Sequence, residues 1–169
     1  MTGQKSSDET EKRPVKQQQD SRTEQVHVLQ YVDMNGHGRL FGGRLISWMD
    51  EVAGTVGMRH TGCETITAAI DNLVFKQPAF LNDMIVIIGN VTYVGNSSME
   101  VRVDAYTEDS QGMRRPINRA YFTMVAVDDS FRPAPIQYGI EIKTEMQKAE
   151  WSNAQKRIAL RKQRHEEGY

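Results

Sequence analysis

The sequence predicts an α+β fold in which an antiparallel sheet wraps one long helix and a second helix follows the sheet. Apolar residues recur at helical spacing between residues 43 and about 60. Most of the chain from there to Asp129 is strand-like with well-marked turns, and residues 139–166 return to helical composition. A single sheet around one helix leaves a face or an edge to be covered, so the sequence also predicts a dimer.

The chain before the long helix divides into two parts. Residues 1–20 contain no apolar stretch and carry charges of both signs, which predicts a disordered polar tail. The acidic residues of this tail also argue against a transit peptide. A short strand is expected at 25–31, where Val26 and Val28 share one face. We therefore place the folded domain at 21–138 and the C-terminal helix at 139–169.

The long helix has two distinct faces. One is an apolar stripe formed by Leu45, Met49, Val52 and Val56. The other contains Ile46, Asp50, Ala53, Gly54 and Gly57. Glycine inside a helix costs about 1 kcal/mol relative to alanine. Gly54 and Gly57 therefore predict close packing against a sheet or a ligand.

Four strands are expected after the long helix, at 65–76, 83–94, 98–107 and 117–127. The third alternates apolar residues (Met99, Val101, Val103, Ala105) with polar and aromatic ones (Glu100, Arg102, Asp104, Tyr106). That alternation predicts a sheet with one solvated face. The fourth is the most apolar and is expected at the centre of the sheet.

The C-terminal helix carries many basic residues near its end, where cations favour the helix dipole: Lys156, Arg157, Arg161, Lys162 and Arg164. Two interpretations arise. A solvated helix that covers a sheet edge or a subunit contact is favoured over a phosphate-binding arm.

Composition excludes several classes of protein. The chain has 169 residues and a formal net charge of -1, which argues against a nucleic-acid-binding surface. It contains no apolar run of membrane-spanning length. The single cysteine, Cys63, rules out an intramolecular disulfide and fits a reducing, cytoplasmic setting. The four histidines lack metal-ligand spacing, so no metal, cofactor, nucleic acid or membrane partner is expected.

Two features of the long helix suggest a catalytic role. Asp50 lies among apolar neighbours, and partial removal from water makes a carboxylate a better general base. The alternative is a solvated, inert acid. Gly42 and Gly43 open the helix, where free N–H groups could polarise a carbonyl and stabilise an oxyanion. Simple turn chemistry is an equal alternative.

Three further groups are candidates for substrate contact. Asn35 precedes Gly36, and an Asn-Gly turn is favoured over an amide that orients water or a carbonyl. Residues Gly95, Asn96, Ser97 and Ser98 form a hairpin turn first, although their hydroxyl and N–H groups could meet a phosphate or pantetheine. Among the cations Arg59, Lys76, Arg114, Arg115 and Arg119, we select Arg119 as a phosphate ligand.

Taken together, "NGHGRLFGGRLISWMDEVAG", "TAAIDNLVFKQPA" and "VTYVGNSSMEVRVDAY" resemble the hotdog-fold acyl-CoA thioesterases over residues 21–150. The resemblance implies a helix wrapped by a sheet, a dimer with active sites at its interface, and a trimer of dimers. It implies hydrolysis of acyl-CoA, with Asp50 as general base or nucleophile and Asn35 contributed across the interface. Gly42 and Gly43 would hold the thioester carbonyl, and residues 94–98 would meet coenzyme A.

Phe41 and Thr67 complete the expected substrate contacts. "GHG" and "GNSS" depart from the commoner family variants, which affects the expected contacts with coenzyme A. Three rival functions are a non-catalytic acyl-CoA sensor, a hotdog dehydratase and a structural interaction protein. The sensor would need a DNA-binding element, and the dehydratase would need a histidine that residues 42–58 lack.

Overall fold

A computed structural model describes residues 13–169 of the chain. Its elements, in order, are β1 (Val15–Lys16), α1 (Gln18–Ser21), β2 (Thr23–Val28), a 3-10 turn (Tyr31–Asp33), α2 (Gly42–Thr61), β3 (Thr65–Phe75), β4 (Met84–Val94), β5 (Ser98–Glu108), β6 (Arg114–Ala126), β7 (Gly139–Ile140) and α3 (Glu145–Glu167). Five strands form an antiparallel sheet in the order β2-β4-β5-β6-β3. The sheet wraps α2, so the predicted hotdog fold is confirmed. The strand predicted at the centre, β6, is an interior strand, and β5 is the central strand of the sheet.

The apolar stripe of α2 forms the core against the sheet. Met49, Val52 and Val56 are fully buried, as predicted. A Cβ atom on Gly89 of β4 would lie 2.7 Å from the Val52 side chain, so glycine lets the sheet approach the helix. No helix within residues 13–169 is long and apolar enough to cross a membrane.

The two glycines inside α2 have different surroundings. A Cβ atom on Gly57 would lie 2.4 Å from the hydroxyl oxygen of Thr65, so Gly57 permits the close approach of β3. The predicted close packing is confirmed there. At Gly54, a Cβ atom would meet no described atom within 4 Å beyond the helix backbone. Gly54 therefore faces open space within the described part of a single chain.

The outer face of the sheet is covered, which corrects the prediction of a solvated face at β5. Glu100 is only 2% exposed, because the Arg157 guanidinium of α3 binds its carboxylate through two hydrogen bonds of 2.9 and 2.7 Å. Arg161 and Arg164 both pair with Asp71 of β3. Arg157, Arg161 and Arg164 therefore attach this helix to the sheet.

The sequence predicted that the C-terminal helix begins at residue 139, but the segment before α3 instead forms β7 and a loop. Thr144 sets the start of α3, since its hydroxyl accepts a hydrogen bond of 3.1 Å from the Gln147 N–H. The Gln147 side chain in turn accepts from the Thr144 N–H at 3.1 Å. This capping box fixes the helix start at Glu145.

The prediction of a disordered tail is wrong for residues 13–20, which form β1 and α1. Residues 1–12 lie outside the part of the chain that the structure describes. β1 pairs in parallel with β7. The Lys16 ammonium donates to the carbonyl oxygens of Arg59 and His60 at 2.9 and 2.8 Å. Gln18 donates to the carbonyl oxygen of Val91 at 2.7 Å. Polar contacts, which hydrophobicity does not reveal, thus hold this segment on the domain.

The buried His60 beneath this segment is expected to make the fold sensitive to acid. Burial lowers the pKa of the imidazole, and the charges of Lys16 and Arg13 lower it further. The unfolded chain, with an ordinary histidine pKa of about 6.5, takes up the proton first. Stability is therefore complete above that pH and falls below it, by up to about 1.4 kcal/mol per pH unit for each extra proton bound by the unfolded chain.

Urea unfolding of the wild type and of His60→Leu between neutral and mildly acidic pH measures this effect. We expect the free energy of unfolding of the variant to vary less with pH. His165→Gln, which changes an exposed histidine, is the matched control and should keep the wild-type profile. Equal pH profiles for wild type and His60→Leu would contradict the assignment.

Candidate active site

Asp50 and Thr67 form a polar pair between α2 and β3. Asp50 is half-buried, and the Thr67 hydroxyl donates to its Oδ1 at 2.5 Å. Thr67 lies opposite Met124 of β6, which fixes the height of the hydroxyl along the sheet. Within residues 13–169 the second carboxylate oxygen accepts no hydrogen bond. It is therefore available to a water or a substrate.

The start of α2 presents two free N–H groups. The N–H groups of Arg44 and Leu45 both donate to the carbonyl oxygen of Phe41, at 3.0 and 3.2 Å. The N–H groups of Gly42 and Gly43 donate to no acceptor in the described chain. They are positioned at the positive end of a 20-residue helix, where a carbonyl or an anion is stabilised.

Aromatic rings occupy the space that a side chain would take at Gly42 and Gly43. A Cβ atom on Gly43 would lie 2.6 Å from the ring of Phe41. One on Gly42 would lie 3.0 Å from the ring of Phe75. Glycine therefore allows two rings to flank the helix start while its N–H groups stay unobstructed.

A cavity of about 360 Å³ opens beside the helix start. Asn35, Gly42 and Phe75 contribute to its wall, and Arg39 and Lys76 also line it. The Asn35 side-chain oxygen accepts from the N–H groups of His37 and Arg39, at 2.9 and 3.2 Å. The turn interpretation of Asn35 is thereby confirmed. Its amide nitrogen forms no hydrogen bond with the described residues and is free to donate.

Asp50 does not line this cavity. Eight residues separate it from Gly42, which corresponds to about 12 Å along the helix axis. One thioester group cannot contact both positions of a single chain. The predicted site residues therefore fall into a donor half-site (Phe41, Gly42, Gly43 and Asn35) and an acid half-site (Asp50 and Thr67).

The hairpin turn at 95–98 lies near the acid half-site. Ser98 of β5 pairs with Val125 of β6. Met124, the residue before Val125, pairs with Thr67 of β3 on the other side of β6. Gly95 donates to the Ser98 carbonyl at 2.8 Å, as a hairpin turn requires. Along β6, Val125 beside this turn is about 26 Å from Ile117, which lines the cavity of the same chain.

The cations are distributed differently from the sequence prediction. Arg119 lies on the outer face of β6 and pairs with Asp104, so its charge is already compensated. Arg114 pairs with Glu24 and Glu108. Lys76 and Arg39 form no ion pair within residues 13–169. Sequence reasoning included Lys76 among its candidates and missed Arg39, which only the turn at Asn35 brings to the cavity.

The edge strand β3 is incompletely covered by the chain. Ile66, Ile70 and Val74 are 42%, 37% and 57% exposed. In the described part of the chain, β3 pairs only with β6, although it is 11 residues long. A long apolar edge strand of this kind is a template for pairing with another chain.

Comparison with known proteins gives consistent matches. The thioesterase superfamily model matches residues 37–113. An uncharacterised acyl-CoA thioester hydrolase of Bacillus subtilis is 38% identical over 62% of this chain and 62% of its own length. The Helicobacter pylori protein VdlD is 32% identical over 75% and 72%. A cytosolic acyl coenzyme A thioester hydrolase of Rattus norvegicus is 32% identical over 69% of this chain, which spans only 31% of that relative.

Solved structures match over nearly the whole chain. A hexameric acyl-CoA thioesterase has a TM-score of 0.85 and 34% identity, over 90% of this chain and 97% of its own. An acyl-CoA hydrolase from Staphylococcus aureus, solved with butyryl coenzyme A and coenzyme A, has a TM-score of 0.85 and 30% identity over 92% and 94%. Variants of that protein with a single Asn, Asp or Thr replaced by alanine match similarly.

Proposed function

Because this chain belongs to the hotdog-fold acyl-CoA thioester hydrolases of the thioesterase superfamily, we propose that it hydrolyses acyl-CoA to a free carboxylic acid and coenzyme A. The observation that carries the proposal is the hydrogen bond from Thr67 to Asp50, which orients a carboxylate with one oxygen free. Carboxylate chemistry of this kind suits attack on a thioester.

The spacing of the site residues supports these roles. In the Staphylococcus aureus hydrolase, the replaced Asn, Asp and Thr are 15 and 17 residues apart. Asn35, Asp50 and Thr67 have the same residue types and the same spacings, 50 − 35 = 15 and 67 − 50 = 17. This agreement in residue type and spacing supports the roles that we propose for Asn35, Asp50 and Thr67.

The proposed reaction begins with water next to Asp50. The free carboxylate oxygen takes a proton from the water, and the oxygen of that water adds to the thioester carbon. The N–H group of Gly43 stabilises the oxyanion that forms, and the Asn35 amide orients the water or the carbonyl. The carbon–sulfur bond then breaks, and the thiolate of coenzyme A takes up the proton that Asp50 removed from the water, which restores the carboxylate. Direct attack by Asp50, through a mixed anhydride that water hydrolyses, is the alternative route.

The separation of the half-sites favours an active site shared between two chains. An oxyanion donor and a base each need to lie about 3 Å from the reacting group, whereas one helix holds Gly43 and Asp50 about 10 Å apart along its axis. Pairing of β3 strands across a dimer would bring the Gly43 half-site of one chain to the Asp50 half-site of its partner. We propose such a dimer, and the hexameric neighbour supports a trimer of dimers.

Release of free thiol from acyl-CoA substrates of increasing chain length tests the activity. We expect release to depend on enzyme concentration and to show a chain-length preference, because a cavity of finite size accepts only some acyl groups. Binding of acyl-CoA without thiol release would instead identify a sensor and contradict the proposal.

The cytosolic rat relative supports a cytoplasmic location.

A further inference from the structure

Arg39 and Lys76 are two cations at the wall of one cavity, and neither has an acidic partner within residues 13–169. Both side chains are exposed, and both line the cavity of about 360 Å³ beside the start of α2. The other described residues that line this cavity include no Asp or Glu. Like charges that face the same space repel each other, and an anion offsets that repulsion. The cavity therefore favours an anionic ligand.

Hydrogen bonds of the main chain hold the two cations at the same cavity. The Leu40 N–H donates to the Ala79 carbonyl at 2.8 Å, which joins the turn that carries Arg39 to the segment that follows β3. The Lys76 N–H donates to the Ile117 carbonyl of β6 at 2.9 Å. Arg39 and Lys76 therefore approach the cavity from two segments that are held together by the fold.

The phosphates of coenzyme A are the anions that the proposed reaction brings to this site. They lie at the far end of the pantetheine arm from the sulfur, whereas the free N–H groups of Gly42 and Gly43 suit the thioester carbonyl. Arginine binds a phosphate through two parallel hydrogen bonds, and lysine binds it as a point charge. A hydrocarbon acyl chain does not suit this wall, because it would remove water from two unpaired charges.

The same cavity indicates which chain of the dimer holds the phosphates. Arg39 and Lys76 lie beside Gly42 in the donor half-site, whereas Asp50 does not line the cavity. In the proposed shared site, Asp50 comes from one chain and the donor half-site comes from its partner. One chain therefore anchors the substrate, and the other supplies the carboxylate that acts on it.

We infer that Arg39 and Lys76 bind the phosphates of coenzyme A in trans to the Asp50 that acts on the same substrate, and so select acyl-CoA over thioesters without phosphates. This inference rests on the proposed hydrolase function and on the shared site. It assigns the two residues a substrate-binding role that does not involve the reacting atoms.

Two thioesters with the same acyl group test the phosphate contacts. Butyryl-CoA carries the phosphates, and S-butyryl-N-acetylcysteamine ends before them. For Arg39→Gln and for Lys76→Met we expect KM for butyryl-CoA to rise about tenfold, the effect of one lost charge-assisted contact. We expect kcat to change less than about twofold, because binding that is equal in the ground and transition states affects KM alone. The kcat/KM for S-butyryl-N-acetylcysteamine should stay within about twofold of wild type.

Arg115→Gln is the matched control variant. Arg115 is an exposed arginine that forms no ion pair in the described part of the chain, and it lines a neighbouring cavity instead. Its substitution should leave KM for both thioesters at the wild-type value. All three variants replace an exposed side chain, so each should keep the wild-type thermal unfolding midpoint.

A mixture of variant chains tests which chain holds the phosphates. Asp50→Asn chains are refolded with an equal amount of chains that carry both Arg39→Gln and Lys76→Met. Random pairing makes half of the dimers mixed, and each mixed dimer has one site with an intact Asp50. If the cations act in trans, this site contains wild-type Arg39 and Lys76, so about half of the active sites should show the wild-type KM. The doubly substituted chain alone should show only the raised KM.

Five results would overturn the inference while leaving the proposed function intact. Equal losses on both thioesters, or no loss on either, would exclude phosphate contacts. An equal rise of KM for Arg115→Gln would indicate general attraction by surface charge. A larger loss on glutaryl-CoA than on butyryl-CoA would assign the cations to an acyl carboxylate. A mixture that shows only the raised KM would contradict the arrangement in trans.

Failure of the proposed function has a different result. A wild-type enzyme that hydrolyses neither butyryl-CoA nor S-butyryl-N-acetylcysteamine would refute the hydrolase function itself.

Discussion

An Asp50→Asn enzyme is expected to lose several hundredfold or more in kcat, the usual range for removing a general base. The amide has nearly the same shape as the carboxylate and still offers an oxygen to the Thr67 hydroxyl. It can neither accept a proton from water nor attack the thioester. Steady-state thiol release from butyryl-CoA measures the loss, and size-exclusion chromatography checks that the assembly is unchanged.

Glu51→Gln is the matched control for this experiment. Glu51 is the next residue on α2 and is exposed, so its substitution removes an equal charge without touching the Thr67 contact. It should retain near-normal turnover. An Asp50→Asn enzyme with wild-type turnover would exclude Asp50 as base and as nucleophile. Single turnover in ¹⁸O-water distinguishes the two, since label enters the carboxylate only if Asp50 attacks.

Local patterns were sufficient to predict the hotdog core. The stripe of α2 and the strands from 65 to 127 follow from apolar spacing and turn residues, which are properties of neighbouring positions. The cover of the outer face did not follow. Glu100 and Arg157 are 57 residues apart in sequence, and an alternating strand has the same pattern whether water or a helix covers its polar side.

The candidate site shows the same division. Asp50 was identified because it interrupts an apolar helix face, and the glycines because they open a helix. Arg39 left no such signal, because only the turn at Asn35 brings it to the wall of the cavity. The separation of Gly42 from Asp50 could have been calculated from helix rise alone. This separation is the reason for proposing a site that is shared between two chains.

Mixing Asp50→Asn chains with Asn35→Ala chains is expected to restore activity that neither variant has alone. If Asn35 of one chain works with Asp50 of its partner, each mixed dimer has one intact site and one doubly defective site. Random pairing of equal amounts makes half of the dimers mixed, so about one quarter of wild-type activity should return. The variants are unfolded together, refolded, and assayed by thiol release.

The control replaces the Asn35→Ala chain with one that carries both substitutions. Every shared site in that mixture lacks Asp50 or Asn35, so no activity should return. A site contained within one chain gives no recovery in either mixture, because each chain of the mixed dimer still lacks one group. Recovery in the first mixture only would therefore establish that the acid and donor half-sites meet across the dimer. Its absence, with mixed dimers shown by mass spectrometry, would contradict the shared site.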